Sequence, residues 1–156
     1  MLDRAMGRRD ALTALILPLA DRSLVLPNVA VAELIDYQPG AAVADAAPWH
    51  LGLIGWRNLQ VPLLSFEAAS GGTVVVGARA HIVVLNALSD DAQQRFIALL
   101  IQGIPRSCKV DNQLSYVDVP LAPLELAAVQ IDEWVGRIPD LMGLEALVDP
   151  RHPPAT

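Results

Sequence analysis

The segment Gly52-Leu53-Ile54-Gly55-Trp56-Arg57-Asn58-Leu59-Gln60-Val61-Pro62-Leu63-Leu64-Ser65-Phe66 restricts the fold of this chain more than any other stretch. Two short apolar runs, Ile54-Gly55-Trp56 and Val61-Pro62-Leu63-Leu64, flank one arginine. A guanidinium keeps its charge in proteins, and burying it unpaired is expensive. The chain is therefore predicted to turn at Arg57-Asn58 and return as a second strand, with the arginine held at the rim.

The rest of the sequence reads in the same short units. Leu15-Ile16-Leu17-Pro18-Leu19 and Leu24-Val25-Leu26, joined by Ala20-Asp21-Arg22-Ser23, predict a hairpin. Val29, Val31, Leu34 and Ile35, with Glu33 and Asp36 among them, fit either a helical turn or an extended segment. Pro39-Gly40 marks a turn before an alanine-rich loop ending at Pro48. After the flexible joint Ser70-Gly71-Gly72, Thr73 to Val76 is either strand or loop. His81 to Leu85 predicts a strand. Phe96 to Ile101 is continuously apolar, as in a strand buried on both faces. Ser89 to Gln94 reads as a polar tip. Leu124 to Val129 fits a helical turn or a strand. Asp132 to Gly136 reads as a turn, Arg137 to Leu141 as a returning strand, and Leu144 to Val148 as a short helix. Many short strands with turn residues between them predict an all-β barrel or sandwich. Gln60 to Leu64 and Arg137 to Leu141 share a pattern of polar, apolar, Pro, any, Leu, each after a turn. Proline lacks an amide donor, so both copies are predicted at sheet edges or bulges.

At 156 residues the chain suits one domain or two small lobes with a shared core. Apolar residues make up 53% and charged residues 18%, which leaves greasy surface for a partner. No uninterrupted apolar run reaches the roughly 18 residues of a membrane span. Arg4, Arg8 and Arg9 before the apolar stretch from Ala11 to Ala20 faintly resemble a secretion signal. Pro18 interrupts that stretch, and Asp3 and Asp10 dilute the charge. A net charge of -6 without a basic stripe argues against nucleic acid as a partner. Lys109 is the only lysine, a bias that points to base composition rather than function. The single cysteine, Cys108, rules out an internal disulfide and fits a reducing cytoplasm.

The residue order around Arg57 resembles the signature of the CheW-like family, the adaptor module of bacterial chemotaxis. In words, that signature is Gly, two or three apolar or small residues, Leu-Arg-Gly, two or three apolar residues, Pro, two apolar residues, Asp-Leu. Gly52, Arg57, Pro62, Leu63 and Leu64 fit it without a gap. Asn58 stands where the family usually has Gly, and Ser65 where it usually has Asp. Val31-Ala32-Glu33-Leu34-Ile35 has the family's spacing to Gly52. Phe96 to Ile104 resembles a second-lobe strand, with Ala98 for its Gly and Gln102 for its Asp. Arg137 to Leu141 resembles the final strand. The resemblance runs from about Leu15 to Val148.

This resemblance implies two intertwined five-stranded SH3-like β-barrels with short helical turns. They would occupy residues 11–148, with lobes near 15–66 and 73–148 and flexible ends at 1–10 and 149–156. It also implies a cytoplasmic, non-enzymatic adaptor between chemoreceptors and the regulatory domain of a CheA-type histidine kinase. Copies or paralogues would join head to tail in rings. The family correspondence gives Val31, Glu33, Gly52 and Arg57 as partner-binding residues. The departures at Asn58, Ser65, Ala98 and Gln102 suggest a specialised branch, such as an auxiliary adaptor of a pilus-controlling chemosensory system.

Each candidate also has a plainer reading. Arg57 is a partner contact or an exposed turn residue paired with a local carboxylate. Glu33 is an interface charge or a solvated one. Trp56 and Trp134 are interface anchors or half-buried core residues beside turns, and Trp49 is placed to cover a barrel mouth. His50, His81 and His152 have no ligand partners at metal spacing, and no cofactor or metal is expected. Asp90-Asp91 and Asp132-Glu133 read as turn charges rather than an acid–base pair. Nothing places Cys108 beside His81 as nucleophile and base, and Gly71-Gly72-Thr73 lacks the lysine of a phosphate loop. The reading from another class is a small-ligand-binding or enzymatic β-barrel, which predicts a deep pocket with convergent polar groups.

Overall fold

The computed structural model describes residues 11–88, 96–111 and 115–148. The arginines ahead of residue 11, the polar tip with Asp90-Asp91, the tail from residue 149 and His152 lie outside the described residues.

The protein is mostly β, in two sheets. Its strands are β1 (Ala11–Pro18), β2 (Ser23–Pro27), β3 (Val31–Asp36), β4 (His50–Trp56), β5 (Leu59–Leu64), β6 (His81–Asn86), β7 (Phe96–Ile101), β8 (Arg106–Asp111), β9 (Ser115–Tyr116), β10 (Glu125–Ile131) and β11 (Trp134–Pro139). Two short helices follow hairpins, α1 (Phe66–Ala69) after β5 and α2 (Leu141–Val148) after β11. One sheet has the order β8-β1-β2-β11-β10-β9, the other β3-β6-β7-β5-β4. The sheets therefore do not divide the chain near residues 66–73. The five-stranded sheet takes the middle of the sequence, and the six-stranded sheet takes both flanks. This nesting is how the two lobes interlock.

Strand alternation explains the core. On β6 and β7, Ile82, Val84, Ala98 and Leu100 point into the five-stranded lobe with Ile54, Trp56, Val61 and Leu63. Val83, Leu85, Ile97, Leu99 and Ile101 point the other way, into a core shared with Leu17, Leu24 and Leu26 of the other sheet. Both faces are covered, which is why these strands read as unbroken apolar runs. Phe66 of α1 and Leu144 of α2 plug the same shared core. Trp49 packs against it from the loop before β4.

The repeat between the two hairpins is real, but the sequence echo aligns it wrongly. The tight turns are Arg57-Asn58 and Asp132-Glu133, so the predicted turn from Asp132 to Gly136 is shorter, and Trp134 already starts β11. Counting from the turns, Pro62 corresponds to Arg137, and Ser65 to Asp140. Each return strand pairs antiparallel with its hairpin partner and parallel with a strand of its own sheet, β5 with β7 and β11 with β2. Neither proline lies on a sheet edge. The register shifts between His50 and Leu53 opposite β5, and between Glu125 and Ala127 opposite β11. These bulges accommodate Pro62, which faces Leu53, and Pro139, which faces Glu125.

Three elements had no sequence signal, among them the two-residue β9. β8 (Arg-Ser-Cys-Lys-Val-Asp) is the outermost strand beside β1, and its polar composition shows no alternation. α1 is a single turn. Thr73 to Val76 is loop, Leu124 to Val129 lies largely in β10, and the Val29–Ile35 region is a short 3-10 turn (Asn28–Ala30) running into β3. No helix among the described residues is long and apolar enough to cross a membrane.

Candidate functional site

β3 and β4 are the outermost strands of the five-stranded sheet, yet they meet. The Trp56 indole Nε1 donates to Glu33 Oε1 at 2.9 Å. The same oxygen receives Arg57 Nη2 at 3.3 Å. Curling of the sheet thus brings one carboxylate from β3 against two side chains at the end of β4. Phe96 packs its ring on Trp56 at 4.7 Å, edge to face, and the Arg57 guanidinium stacks over the indole at 4.5 Å. Trp56 is buried, whereas the Arg57 and Glu33 side chains are 65% and 43% exposed. The arrangement anchors one end of a cation in packed aromatic surface and leaves its head in solvent.

The turn is built for this exposure. Arg57 and Asn58 both have positive φ, 48° and 64°, as the tightest hairpin turn requires. Glycine fits such positions best, and asparagine is the next most tolerant residue. Asn58 therefore does the conformational job of the family's glycine. Ser65 is explained in the same way. Its Oγ caps α1 by accepting the Ala68 N–H at 3.1 Å, a task that serine and aspartate share. The carboxylate of Asp140 does the same for the Gly143 N–H at 3.0 Å ahead of α2. Gln102 holds the loop after α1, accepting the Gly77 N–H at 2.8 Å and donating to the Val75 carbonyl at 2.6 Å. Ala98 is wholly buried beside Leu63. Three of the four departures thus have local structural roles, so they carry little weight for a specialised branch.

Of the four residues singled out in the sequence, the structure joins only Glu33 and Arg57. Val31 lies two residues before Glu33 across a bulge, and its side chain packs against the shared core. Gly52 lies on β4 with φ of 109°. A Cβ there would sit 2.5 Å from the Ala41 carbonyl oxygen, because residues 40–41 cross the strand at backbone distance. The Ala41 and Leu53 backbones exchange hydrogen bonds of 2.8 and 2.9 Å across this crossing. The physical need for glycine at 52 is therefore steric. The His50 Nδ1 accepts the Gly52 N–H at 3.1 Å, and burial pushes the His50 pKa down.

A second arginine cluster lies between the lobes and was not foreseen. Glu125, at the start of β10, has a side chain only 3% exposed. It accepts from Arg22 Nη1 at 2.9 Å and from Arg137 Nη1 at 3.2 Å. The Ala122 N–H donates to it at 3.0 Å. Arg22 also reaches Ser70 Oγ at 2.8 Å and Asp21 at 2.9 and 3.0 Å, and stacks on Phe66. Beside it, buried Glu67 of α1 accepts the Ala20 N–H at 2.9 Å. The arginine raises no sequence signal because its partner is about a hundred residues away, a separation no local pattern encodes.

The remaining chemistry-bearing residues stay apart. Cys108 is on the six-stranded sheet and His81 on the other. Burial pushes the Cys108 thiol pKa up, with Asp132 adding to it. Asp132-Glu133 is a hairpin turn. Among the described residues no three metal-ligating side chains converge.

Comparison with known proteins agrees with this architecture. The family model described as "CheW-like domain" matches residues 13–147. The crystal structure of the scaffolding protein TtCheW from Thermoanaerobacter tengcongensis superposes with a TM-score of 0.73 at 15% identity, covering 86% of this chain and 92% of that one. No curated protein matches the sequence.

Proposed function

This chain belongs to the CheW-like domain family, and on that premise we propose that it is a non-enzymatic adaptor. It would couple chemoreceptors to the regulatory domain of a CheA-type histidine kinase by protein contacts alone. The observation that carries this reading is the side-chain contact between the two edge strands of the five-stranded sheet. It delivers Arg57 and Glu33, far apart in sequence, to one exposed point on a rigid aromatic base. An exposed ion pair contributes little to stability, typically below about 1 kcal/mol. A turn that holds two non-glycine residues at positive φ to display an arginine fits recognition better than folding. Val31 and Gly52 enter the proposal indirectly. They fix the β3 bulge and the β4 crossing on which Glu33 and Trp56 depend.

Calorimetric titration with the regulatory domain of each chemotaxis-type kinase from the same cell tests this, with Arg57→Glu as control. Saturable binding to one kinase, weakened at least tenfold by the substitution, is the expected outcome and names the pathway. No binding to any kinase or receptor fragment would remove the adaptor reading while leaving the fold intact.

A further inference from the structure

His50 begins β4 at the bulge where the chain crosses itself. Its backbone N–H is bound to the Ala47 carbonyl at 2.9 Å, and its ring lies 5.9 Å from that of Trp49. The neighbouring Trp49 carbonyl accepts the Ser65 N–H at 2.9 Å, so the backbone on either side is pinned. The ring itself closes the bulge, because Nδ1 accepts the Gly52 N–H at 3.1 Å. A backbone N–H can only donate, so this bond exists only while Nδ1 carries no proton. Glycine is required at this position. Its φ of +109° and the Ala41 carbonyl, 2.5 Å from where a Cβ would be, exclude any side chain there.

We propose that His50 is a proton-sensitive latch on β4, closed when neutral and opened when a proton from solvent occupies Nδ1 and displaces the Gly52 N–H. The surroundings favour the closed form. Leu64 faces His50 from β5. Asp36, Asp45 and Glu67, the acids that flank it in sequence, form no ion pair with the ring. Among the described residues no carboxylate forms an ion pair with the ring, and burial works against an imidazolium more strongly than the His50 backbone favours one. The folded pKa lies below the ordinary histidine value of about 6.5. The latch is closed above that value and opens as pH falls through the folded pKa. One pH unit below it, about a tenth of the molecules keep the bond. The far end of this strand carries Trp56 and Arg57, so acid acts on the element that delivers the exposed cation.

Nitrogen-15 NMR of the free, full-length chain between pH 8 and 5 tests the latch without any partner, so its failure is separable from failure of the adaptor reading. The expected result is a neutral ring with bare Nδ1 and a His50 midpoint below 6.5. The Gly52 amide resonance should move with the same midpoint. His50→Gln should abolish that inflection at Gly52. A Gly52 amide that stays fixed while His50 titrates, a midpoint at or above 6.5, or a neutral ring protonated at Nδ1 would each overturn the proposal. If His50→Gln does not fold, the joint titration of His50 and Gly52 in the wild type still decides.

Discussion

The two arginine–glutamate clusters use the same chemistry at opposite levels of solvent. Glu125 is enclosed by Arg22 and Arg137, which tie the turn after β1, the end of α1 and the β10–β11 hairpin. Glu33 holds Trp56 and Arg57 at an open seam. The lobes differ in parallel. The inside of the five-stranded lobe is apolar throughout, from Ile54 to Leu100. In the six-stranded lobe the corresponding buried cluster is Ala14, Val25 and Val129. The lesson is that burial, not the ion pair, decides whether such a contact holds the fold together or remains available to a partner.

The sharpest test removes the enclosed carboxylate. Glu125→Ala leaves the partly buried Arg137 guanidinium without its carboxylate and Arg22 with only the exposed Asp21, and is expected to destabilise by about 3 kcal/mol, read as a lower urea midpoint. A loss below about 1 kcal/mol would erase the contrast between clusters. Next, Trp56→Phe keeps the aromatic packing and deletes the indole donor to Glu33. A loss of about 1 kcal/mol is expected, with Glu33 and Arg57 freed to move. Asn58→Ala should cost about 1 kcal/mol because alanine resists positive φ, whereas Asn58→Gly should be neutral or stabilising. Equal midpoints for these two variants would contradict the turn geometry.

Arg57→Ala should change stability by less than about 0.5 kcal/mol, although Arg57→Glu should weaken partner binding at least tenfold. A large stability loss would move this arginine into the same class as Arg22. The smallest expected effect is that of Asp21. Its hydrogen bond to Arg22 holds its carboxyl below the ordinary 3.8, against a weaker opposing effect of burial. Its contribution is present above that ordinary value and disappears as pH falls through the lower folded one. Acid unfolding of Asp21→Asn should therefore differ from wild type only in that window, and only slightly, because the side chain is 53% exposed.

Much of the architecture was legible because it rests on local patterns. The unbroken run of β7, the hairpin at Arg57-Asn58 and the end of the closing helix each have a signature within a few residues, although that helix already begins at Leu141, which the pattern assigns to the strand before it. The site was half legible. Arg57 was conspicuous as a lone charge between apolar runs, but Glu33 looked like any surface acid. Only the approach of the two edge strands makes it the partner of Trp56. The steric role of Gly52 was hidden as well, since the backbone that crowds it belongs to residues 40–41. Polar β8 and the Glu125 node had no local pattern at all.

The sequence by itself determined an all-β chain of short strands, the place of its tightest turn and the apolar faces of its central strands. These follow from alternation, chain length and backbone preference, which act over neighbouring residues. Only the tertiary structure decided that the middle of the chain forms one lobe and its flanks the other. It alone made Arg57 an exposed cation and Arg22 an enclosed one. Both outcomes depend on which distant segments meet, and on how much water remains where they do.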